Sequence, residues 1–276
     1  TYTVVGIESE AFYQSTYTKI TLPSTITCIG AYAFASSDYL ESVVIPENCY
    51  FTYFGSDAFI GTPFETEIYS KDETIFGQNV LYSYIGGGEY ILPSNVDCIA
   101  SSAFFMSAVE KVVLNDNITE IPTMAFASCR NLKEIIIPDS VLSIGFGAFR
   151  DCTNLESVSL GEELGYIGEE AFSNTKISSI RFGKNIYAFE GAFKDCKTLK
   201  SITVDSENPY YYCDGNAVYY SDYAVAYYLP CKALGNIVLD ESIEMILPYA
   251  FYNCSSITSI KIPKGVTNID EATFYD

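Results

Sequence analysis

A repeating unit constrains the fold of this chain more than any other feature. Phe149 and Phe172 stand 23 residues apart, and each follows an alanine at the same place in its unit. The unit that ends at Cys152 has apolar residues at Leu132, Ile135, Ile137, Val141, Ile144, Ala148, Phe149 and Cys152. One unit of this length cannot bury its own apolar face, so neighbouring copies must stack and share a continuous core. The pattern therefore predicts a solenoid.

The Ala-Phe pair recurs along the whole chain and sets the length of each coil. Most successive phenylalanines are 21 to 25 residues apart, whereas the gaps after Phe59 and Phe193 are 45 and 58 residues. The anchor phenylalanines are Phe12, Phe34, Phe59, Phe104, Phe126, Phe149, Phe172, Phe193, Phe251 and Phe274, the last of which follows a threonine. Regular coils with an insertion at each long gap explain this spacing.

Each unit combines a strand pattern with a turn. Ile135 and Ile137 take the fourth and sixth positions of a strand, and Pro138 ends it because proline has no amide hydrogen to donate. A short extended piece and a helical turn with the Ala-Phe pair follow. Gly145 opens that turn, where another unit has Pro122. Since proline fixes φ at about −65°, we expect negative φ there and a glycine selected for close packing.

The two long gaps share a second motif, GxxVxYS, at residues 77–83 and 215–221. Each copy runs on into a Leu-Pro pair, and the alternating apolar residues with turn formers between them predict a β-hairpin inserted between coils. In the first copy we expect the glycines at 86–88 to form the hairpin turn. The predicted insertions cover residues 74–93 and 210–230.

The motif IPxxVxxIGxxAFxxC at 137–152 resembles the repeat of the BspA-type leucine-rich repeat family, and the GxxVxYS segments resemble that family's DGxLYS insertions. The resemblance implies an α/β solenoid, with a right-handed leucine-rich repeat superhelix, a concave parallel β-sheet, short helical turns and two inserted β-hairpins, in a single domain over 1–276. It also implies an exported, extracellular cell-surface protein of an anaerobic bacterium or protozoan that adheres to host or matrix proteins. The family shares no catalytic residues.

The composition excludes several classes of partner. The formal net charge is −20, from 15 basic and 35 acidic residues, and such a field repels nucleic acid and anionic lipid. A hydrophobic fraction of 49% argues against disorder, and no apolar run reaches the roughly 20 residues that span a bilayer. We therefore expect no nucleic-acid binding and no membrane insertion by this segment.

The nine cysteines do not predict a metal site, because the chain has no CxxC pair and no histidine. Cys213 and Cys231 bracket the second insertion, and an oxidising compartment would allow them to pair. Four others stand three residues after an anchor phenylalanine, where we expect small buried thiols: Cys129, Cys152, Cys196 and Cys254.

Catalysis has little support in the sequence. Without histidine there is no Ser-His or Cys-His pair. With 35 acidic residues, two carboxylates at a glycosidase-like separation would be a coincidence, and scattered acids on a solvated face explain the composition better than calcium sites. The glycines at 86–88 precede no helix and are no phosphate loop. We expect no enzymatic activity, no cofactor and no metal.

The predicted strands form a candidate binding face. They contain six bases and four acids, whereas the rest of the chain has nine bases and 31 acids. The outward third strand position is often serine, and small residues on a near-neutral sheet are compatible with an exposed interface. Repulsion between like charges on stacked strands explains the same composition without a ligand, so both interpretations stay open.

The second insertion is rich in tyrosine, with eight between residues 210 and 228. Tyrosine gives a large contact area at low entropy cost, although half of these rings must face the solenoid if the hairpin packs on it. We hypothesise a non-enzymatic, cell-surface module that binds a host or matrix protein; the alternatives are a carbohydrate-binding solenoid and a rigid spacer without a ligand. The residues expected to contact the protein partner are Ser157, Ser159, Ser179, Arg181, Ser201, Thr203, Tyr219, Tyr220 and Tyr223.

Overall fold

The computed structural model describes residues 3–189, 191–214, 217–221, 235–248, 250–251, 254 and 257–274, together with the backbone of 225–228. Its strands, numbered β1 to β23 in chain order, pair mostly in parallel between successive coils. The chain is therefore a solenoid of stacked strands, as the repeat predicts. In the described part the only helix is α1 (Pro63–Ile68), which Thr62 caps by accepting a hydrogen bond from the Glu65 N–H.

The predicted strand of each unit lies in what we call the main sheet. Its strands are β2 (Lys19–Thr21), β4 (Ser42–Val44), β8 (Gly87–Ile91), β10 (Ala108–Val113), β12 (Glu134–Ile136), β14 (Ser157–Ser159), β16 (Ser179–Phe182), β17 (Ser201–Val204), β21 (Gly235–Val238) and β23 (Ile257–Lys261). They pair in parallel as β2–β4, β8–β10–β12–β14, β16–β17 and β21–β23. The right-handed sense of the superhelix and the concave position of this sheet stay predictions.

The short extended piece after the proline forms a second set of parallel strands, which we call the second sheet. Its strands are β1 (Gly6–Ile7), β3 (Cys28–Ile29), β5 (Tyr53–Phe54), β9 (Cys98–Ile99), β11 (Glu120–Ile121), β13 (Ser143–Ile144), β15 (Tyr166–Ile167) and β22 (Met245–Ile246). Among these, β1–β3–β5 and β11–β13–β15 are continuous ladders. Each coil thus pairs with its neighbours on two sides of the core.

Strands of the insertions join the second sheet. They are β6 (Glu73–Phe76), β7 (Val80–Tyr84), β18 (Tyr211–Cys213), β19 (Val218–Tyr220) and β20 (Val225–Tyr228). In the first insertion β6 is antiparallel to β7, and β7 is parallel to β9. In the second, β18, β19 and β20 are successively antiparallel, and β20 is parallel to β22.

The expected position of the first hairpin turn was wrong. The chain reverses at 77–79, between β6 and β7, whereas Gly87 and Gly88 open strand β8 of the main sheet. Gly88 has a φ of +75°, and the pairing register shifts between Val109 and Lys111 on the neighbouring strand. These glycines therefore serve a β-bulge in a parallel pair, because glycine adopts positive φ without strain.

The Ala-Phe turns are not helical, which corrects the expected helical turns. The residues two before and two after the anchor have positive φ, for example Gly147 and Asp151 around Phe149. The N–H groups of these three residues donate to the next coil, and that of Phe149 reaches the Ala171 carbonyl at 2.7 Å. An α-helix is about 10 Å across with its side chains, so coils stacked at half that distance cannot each carry one.

The anchor phenylalanines form the buried stack that the repeat predicts. The ring centroids of Phe126 and Phe149 are 5.0 Å apart, and those of Phe149 and Phe172 are 5.2 Å apart, with planes within 2° of parallel. All three rings are fully buried. Because this spacing is close to the roughly 4.8 Å between paired strands, the rings and the sheets share one repeat distance along the solenoid.

The stack is interrupted at each insertion, and tyrosines of the insertions fill the breaks. Tyr82 of β7 packs against Phe59 at 5.6 Å, and Tyr84 of the same strand packs against Phe104 at 5.6 Å. In the second insertion Tyr211 packs against Phe189 at 5.1 Å. The insertion strands are thus part of the core.

Close packing explains the glycine that opens each turn. A Cβ placed on Gly145 would lie 2.6 Å from the backbone nitrogen of Thr123, and one on Gly168 would lie 2.7 Å from backbone atoms of the preceding coil. Neither glycine has positive φ. The expectation from Pro122 is confirmed, since these positions need the absence of a side chain and not a left-handed backbone.

The position three residues after each anchor is a column of small hydrogen-bond donors. The thiols of Cys129 and Cys152 are buried and donate to the carbonyls of Phe104 and Phe126 at 2.9 and 3.0 Å. Burial raises the pKa of the Cys152 thiol, so it stays protonated. Hydroxyls do the same in other coils: Ser37 donates to Phe12, Ser107 to Gly86 and Thr175 to Phe172.

The expected small buried thiols are confirmed at Cys129, Cys152, Cys196 and Cys254, all of which are buried. The column adds the reason for the residue type, since the position requires a small side chain that donates to a buried carbonyl. Cys213 is partly buried with its thiol 3.1 Å from the Ile202 carbonyl, whereas Cys231 lies outside the described residues.

We predict that Phe149→Ala lowers the free energy of unfolding by about 3–5 kcal/mol, because it leaves a cavity in the middle of the ring stack. Urea denaturation measures the change. Phe146→Ala, in the same turn but exposed, is the matched control and should change the stability by less than about 0.5 kcal/mol. Equal stability of the two variants would contradict the stacked core.

For the donor column, we predict that Cys152→Ser is more stable than Cys152→Ala by about 1 kcal/mol. Serine keeps a second donor for the Phe126 carbonyl, whereas alanine leaves that buried oxygen with the Cys129 N–H alone. Thermal unfolding of both variants is the measurement. If alanine is tolerated as well as serine, the column requires only small size.

Candidate binding face

The main sheet presents the expected serines outward. Ser157, Ser159 and Ser179 are exposed and Ser201 is partly buried. On β16 and β17, Ser179 is paired with Ser201 and Arg181 with Thr203. The structure therefore brings the predicted strand residues together on one surface, formed by β14, β16 and β17.

This surface has a break at its centre. β14 is the last strand of one ladder and β16 the first of the next, so these neighbouring strands are not paired as a ladder. A shallow depression of about 530 Å³ lies at the break, lined by Glu156, Ser157, Ser178, Ser179, Arg181 and Thr203 with Val158 and Ile180 at its base. Four of the predicted residues line it, whereas Ser159 and Ser201 lie outside.

Ion pairs neutralise the arginine of the face. The Arg181 guanidinium donates to Glu162 at 2.8 Å and to Asp205 at 2.6 Å. The two carboxylates belong to the coils before and after it, so Arg181 links three coils. On the next segment of the sheet, Lys111 pairs with Glu89 at 2.8 Å. Such exposed pairs contribute little to stability. They do neutralise the positive charges of Arg181 and Lys111 on the main sheet.

An exposed apolar row lies on the main sheet beside β14 and was not among the predicted contacts. It consists of Ile91, Val113 and Ile136, which are 66%, 38% and 69% exposed. They are the last residues of β8, β10 and β12, where Val113 is paired with Ile91 and Ile136 with Ser159 of β14. Strand alternation alone places this position outward, but the predicted contacts at this position were Ser159, Arg181 and Thr203 and did not include the apolar residues of the earlier strands.

The tyrosine part of the predicted site needs a correction. Tyr219 is fully buried and cannot contact a partner, and Tyr220 is partly buried against the core. Tyr223 lies outside the described residues. The physical reason is that β19 has core on both faces, with Tyr219 packed in the C-terminal cluster and Val218 in the central one.

The buried Tyr219 hydroxyl has its own partner. It donates to the Asp214 carboxylate at 2.9 Å, and the ring stacks on Tyr212 at a centroid distance of 5.0 Å. Burial raises the pKa of Tyr219, and the hydrogen bond to Asp214 raises it further. The residue is therefore a neutral core tyrosine, satisfied by a carboxylate at the edge of the insertion.

No cluster of three or more acidic or cysteine side chains within the described ranges is arranged to hold a metal ion. The six-residue helix α1, the single helix described, is too short to cross a bilayer. The depression at the strand break contains serine hydroxyls and one carboxylate, Glu156.

Comparison with known proteins identifies the repeat. A model of the BspA type leucine-rich repeat region matches residues 5–133, 119–224 and 223–276, with six copies. The chain belongs to the BspA-type leucine-rich repeat family. No curated protein matches its sequence.

Solved structures share the fold of this BspA-type chain. The pneumococcal vaccine antigen PcpA is similar with a TM-score of 0.60 and 17% identity, over 95% of this chain and 58% of PcpA. A leucine-rich cell surface protein of Faecalibacterium prausnitzii gives 0.56 and 23%, over 99% and 68%. A leucine-rich repeat protein of Eubacterium ventriosum gives 0.54 and 23%, over 71% and 59%. The chain thus spans less than two thirds of PcpA and of the Eubacterium protein.

We predict that Tyr219→Ala lowers the free energy of unfolding by about 3–5 kcal/mol, because it empties a buried ring position. Tyr39→Ala, at an exposed tyrosine, is the control and should cost less than about 0.5 kcal/mol. Urea denaturation distinguishes the two. If the Tyr219→Ala protein were as stable as the parent, the burial of this residue would be contradicted.

Proposed function

We propose that this chain is a non-enzymatic module of a cell-surface protein that binds a host or matrix protein through the outward face of its main sheet. The observation that carries the proposal is the exposed apolar row Ile91, Val113 and Ile136, which ends beside β14, the strand that borders the depression at the strand break. Two structural relatives, the pneumococcal vaccine antigen PcpA and the cell surface protein of Faecalibacterium prausnitzii, support the location.

The chemistry of this face favours a protein over other ligands. The free energy falls when another apolar surface covers exposed β-branched side chains in adjacent positions, because their apolar area is removed from water. Serine and threonine hydroxyls beside them supply the polar rim that protein interfaces have. Because the residues stand on paired strands, little conformational entropy is lost when a partner binds.

The main-sheet face has few groups that could take part in catalysis. A serine nucleophile needs a general base within hydrogen-bonding reach, and the chain contains no histidine. Glu156 is the one carboxylate that lines the depression, whereas glycoside hydrolysis uses two. These features support a binding role.

We predict that Ile91→Asp with Ile136→Asp weakens binding to the protein partner at least about tenfold, because charged residues then occupy the apolar contact. The double change Ser179→Glu and Ser201→Glu should block the face of β16 and β17 by charge and bulk with a similar loss. Binding is measured by surface plasmon resonance, against a partner isolated from extracts of host-cell surfaces and matrix.

The matched control is Met106→Asp with Met245→Asp, at two exposed apolar residues outside the main sheet. It changes the net charge equally and should leave binding unchanged. If the partner binds both face variants as tightly as the parent chain, the main sheet is not the binding face. Binding to a glycan array instead of a protein would favour a carbohydrate-binding solenoid, and the absence of any ligand would favour a rigid spacer.

A further inference from the structure

A second exposed surface lies on the side of the second sheet. It consists of Tyr166, Tyr187 and Tyr210, which are 40%, 52% and 48% exposed, and we call it the tyrosine strip. The ring centroids of Tyr166 and Tyr187 are 6.4 Å apart, and those of Tyr187 and Tyr210 are 6.2 Å apart. The strip crosses three successive coils, and none of its rings belongs to the face proposed above.

Packing and hydrogen bonds with neighbouring residues fix the position of the tyrosine strip. The Tyr187 ring lies against Gly165, where an added Cβ would be 2.8 Å from a ring carbon. The Tyr187 N–H donates to the Gly165 carbonyl at 2.9 Å, and the Tyr211 hydroxyl donates to the Tyr187 carbonyl at 3.0 Å. Asn208 accepts from the Tyr210 N–H at 2.8 Å. The backbone that carries the rings is thus fixed before any ligand arrives.

The faces of the rings meet at angles. The planes of Tyr166 and Tyr187 are inclined by 37°, and those of Tyr187 and Tyr210 by 66°. A run of sugar rings would need a flatter platform to stack on. A cation does not require parallel rings, because it can lie over the exposed face of any one of them.

The sequence around the strip is acidic. Within three residues of its tyrosines there is one base, Lys184, against four acids: Glu163, Glu169, Glu190 and Glu207. Glu163, Glu169 and Glu207 are exposed, and none of these three forms an ion pair with another described residue. With a net charge of −20 on the whole chain, the long-range field also attracts cations to this surface.

We propose that the tyrosine strip binds an arginine- or lysine-rich polypeptide segment. The cationic side chains lie over the tyrosine faces, and the carboxylates on either side of the strip pair with further charges of the segment. This surface is separate from the main-sheet face, so the two proposals can fail independently.

The experiment measures the binding of a fluorescein-labelled peptide of five Arg-Gly repeats by anisotropy, with a Gln-Gly peptide of equal length as the neutral probe. Tyr166→Ala with Tyr187→Ala should weaken binding of the Arg-Gly peptide about tenfold, by removing two cation–π contacts. Tyr187→Phe keeps the ring and should bind like the parent chain. Added salt should weaken binding to every variant.

The matched control is Tyr39→Ala with Tyr53→Ala. Both residues are exposed, and Tyr53 occupies in β5 the position that Tyr166 has in β15. Both double variants keep the net charge, so the long-range attraction is the same. Equal binding of the Arg-Gly peptide to both would overturn the proposal and leave only diffuse attraction to an acidic chain. An oligosaccharide that the parent binds and the strip variant does not would overturn it in favour of a glycan site.

Discussion

In the regular coils the anchor phenylalanine donates its backbone N–H to a carbonyl of the next coil, and the rest of the solenoid depends on this bond. In the central coils the distance is 2.7 Å from Phe126 to Ala148 and 2.7 Å from Phe149 to Ala171. The bond fixes the turns at the spacing of paired strands, so the rings stack and the two sheets pair at the same repeat distance. The left-handed residues beside the anchor are maintained because their N–H groups make the same kind of bond.

The insertions show what happens where this periodicity is interrupted. A gap in the ring stack would leave a cavity, and cavities of aromatic size are costly. Tyr82 and Tyr84 pack against Phe59 and Phe104, the anchors on either side of the first insertion, and Tyr211 packs against Phe189 beside the second. Their hydroxyls reach polar groups at the edge of the core, as Tyr211 does at the Tyr187 carbonyl. Tyrosine density in this chain therefore reflects packing as much as recognition.

A solenoid leaves its outward positions free to vary, because the inward positions and the backbone hold the coils together. Two surfaces use this freedom. On the main sheet an apolar row ends beside β14, next to the serine-rich depression at the break between β14 and β16. On the side of the second sheet an aromatic strip stands in an acidic stretch of the sequence. The two surfaces differ in chemistry, and we propose the first for apolar contact with a protein and the second for cationic groups.

The repeat period, the inward residues and the phenylalanine stack follow from the sequence, because a local pattern of apolar residues fixes which side chains must be buried. The negative φ of Gly145 also follows from the sequence, because Pro122 occupies the equivalent position in another unit. Hydrogen bonds and packing between coils more than 20 residues apart in sequence determine three other features. These are the non-helical turns, the position of the glycines at 86–88 in a main-sheet strand, and the burial of Tyr219. Only the tertiary structure decides these features, because the partner groups are brought together by stacking. The tertiary structure alone also decides the break between β14 and β16 and the contact of Tyr187 with Tyr166 and Tyr210.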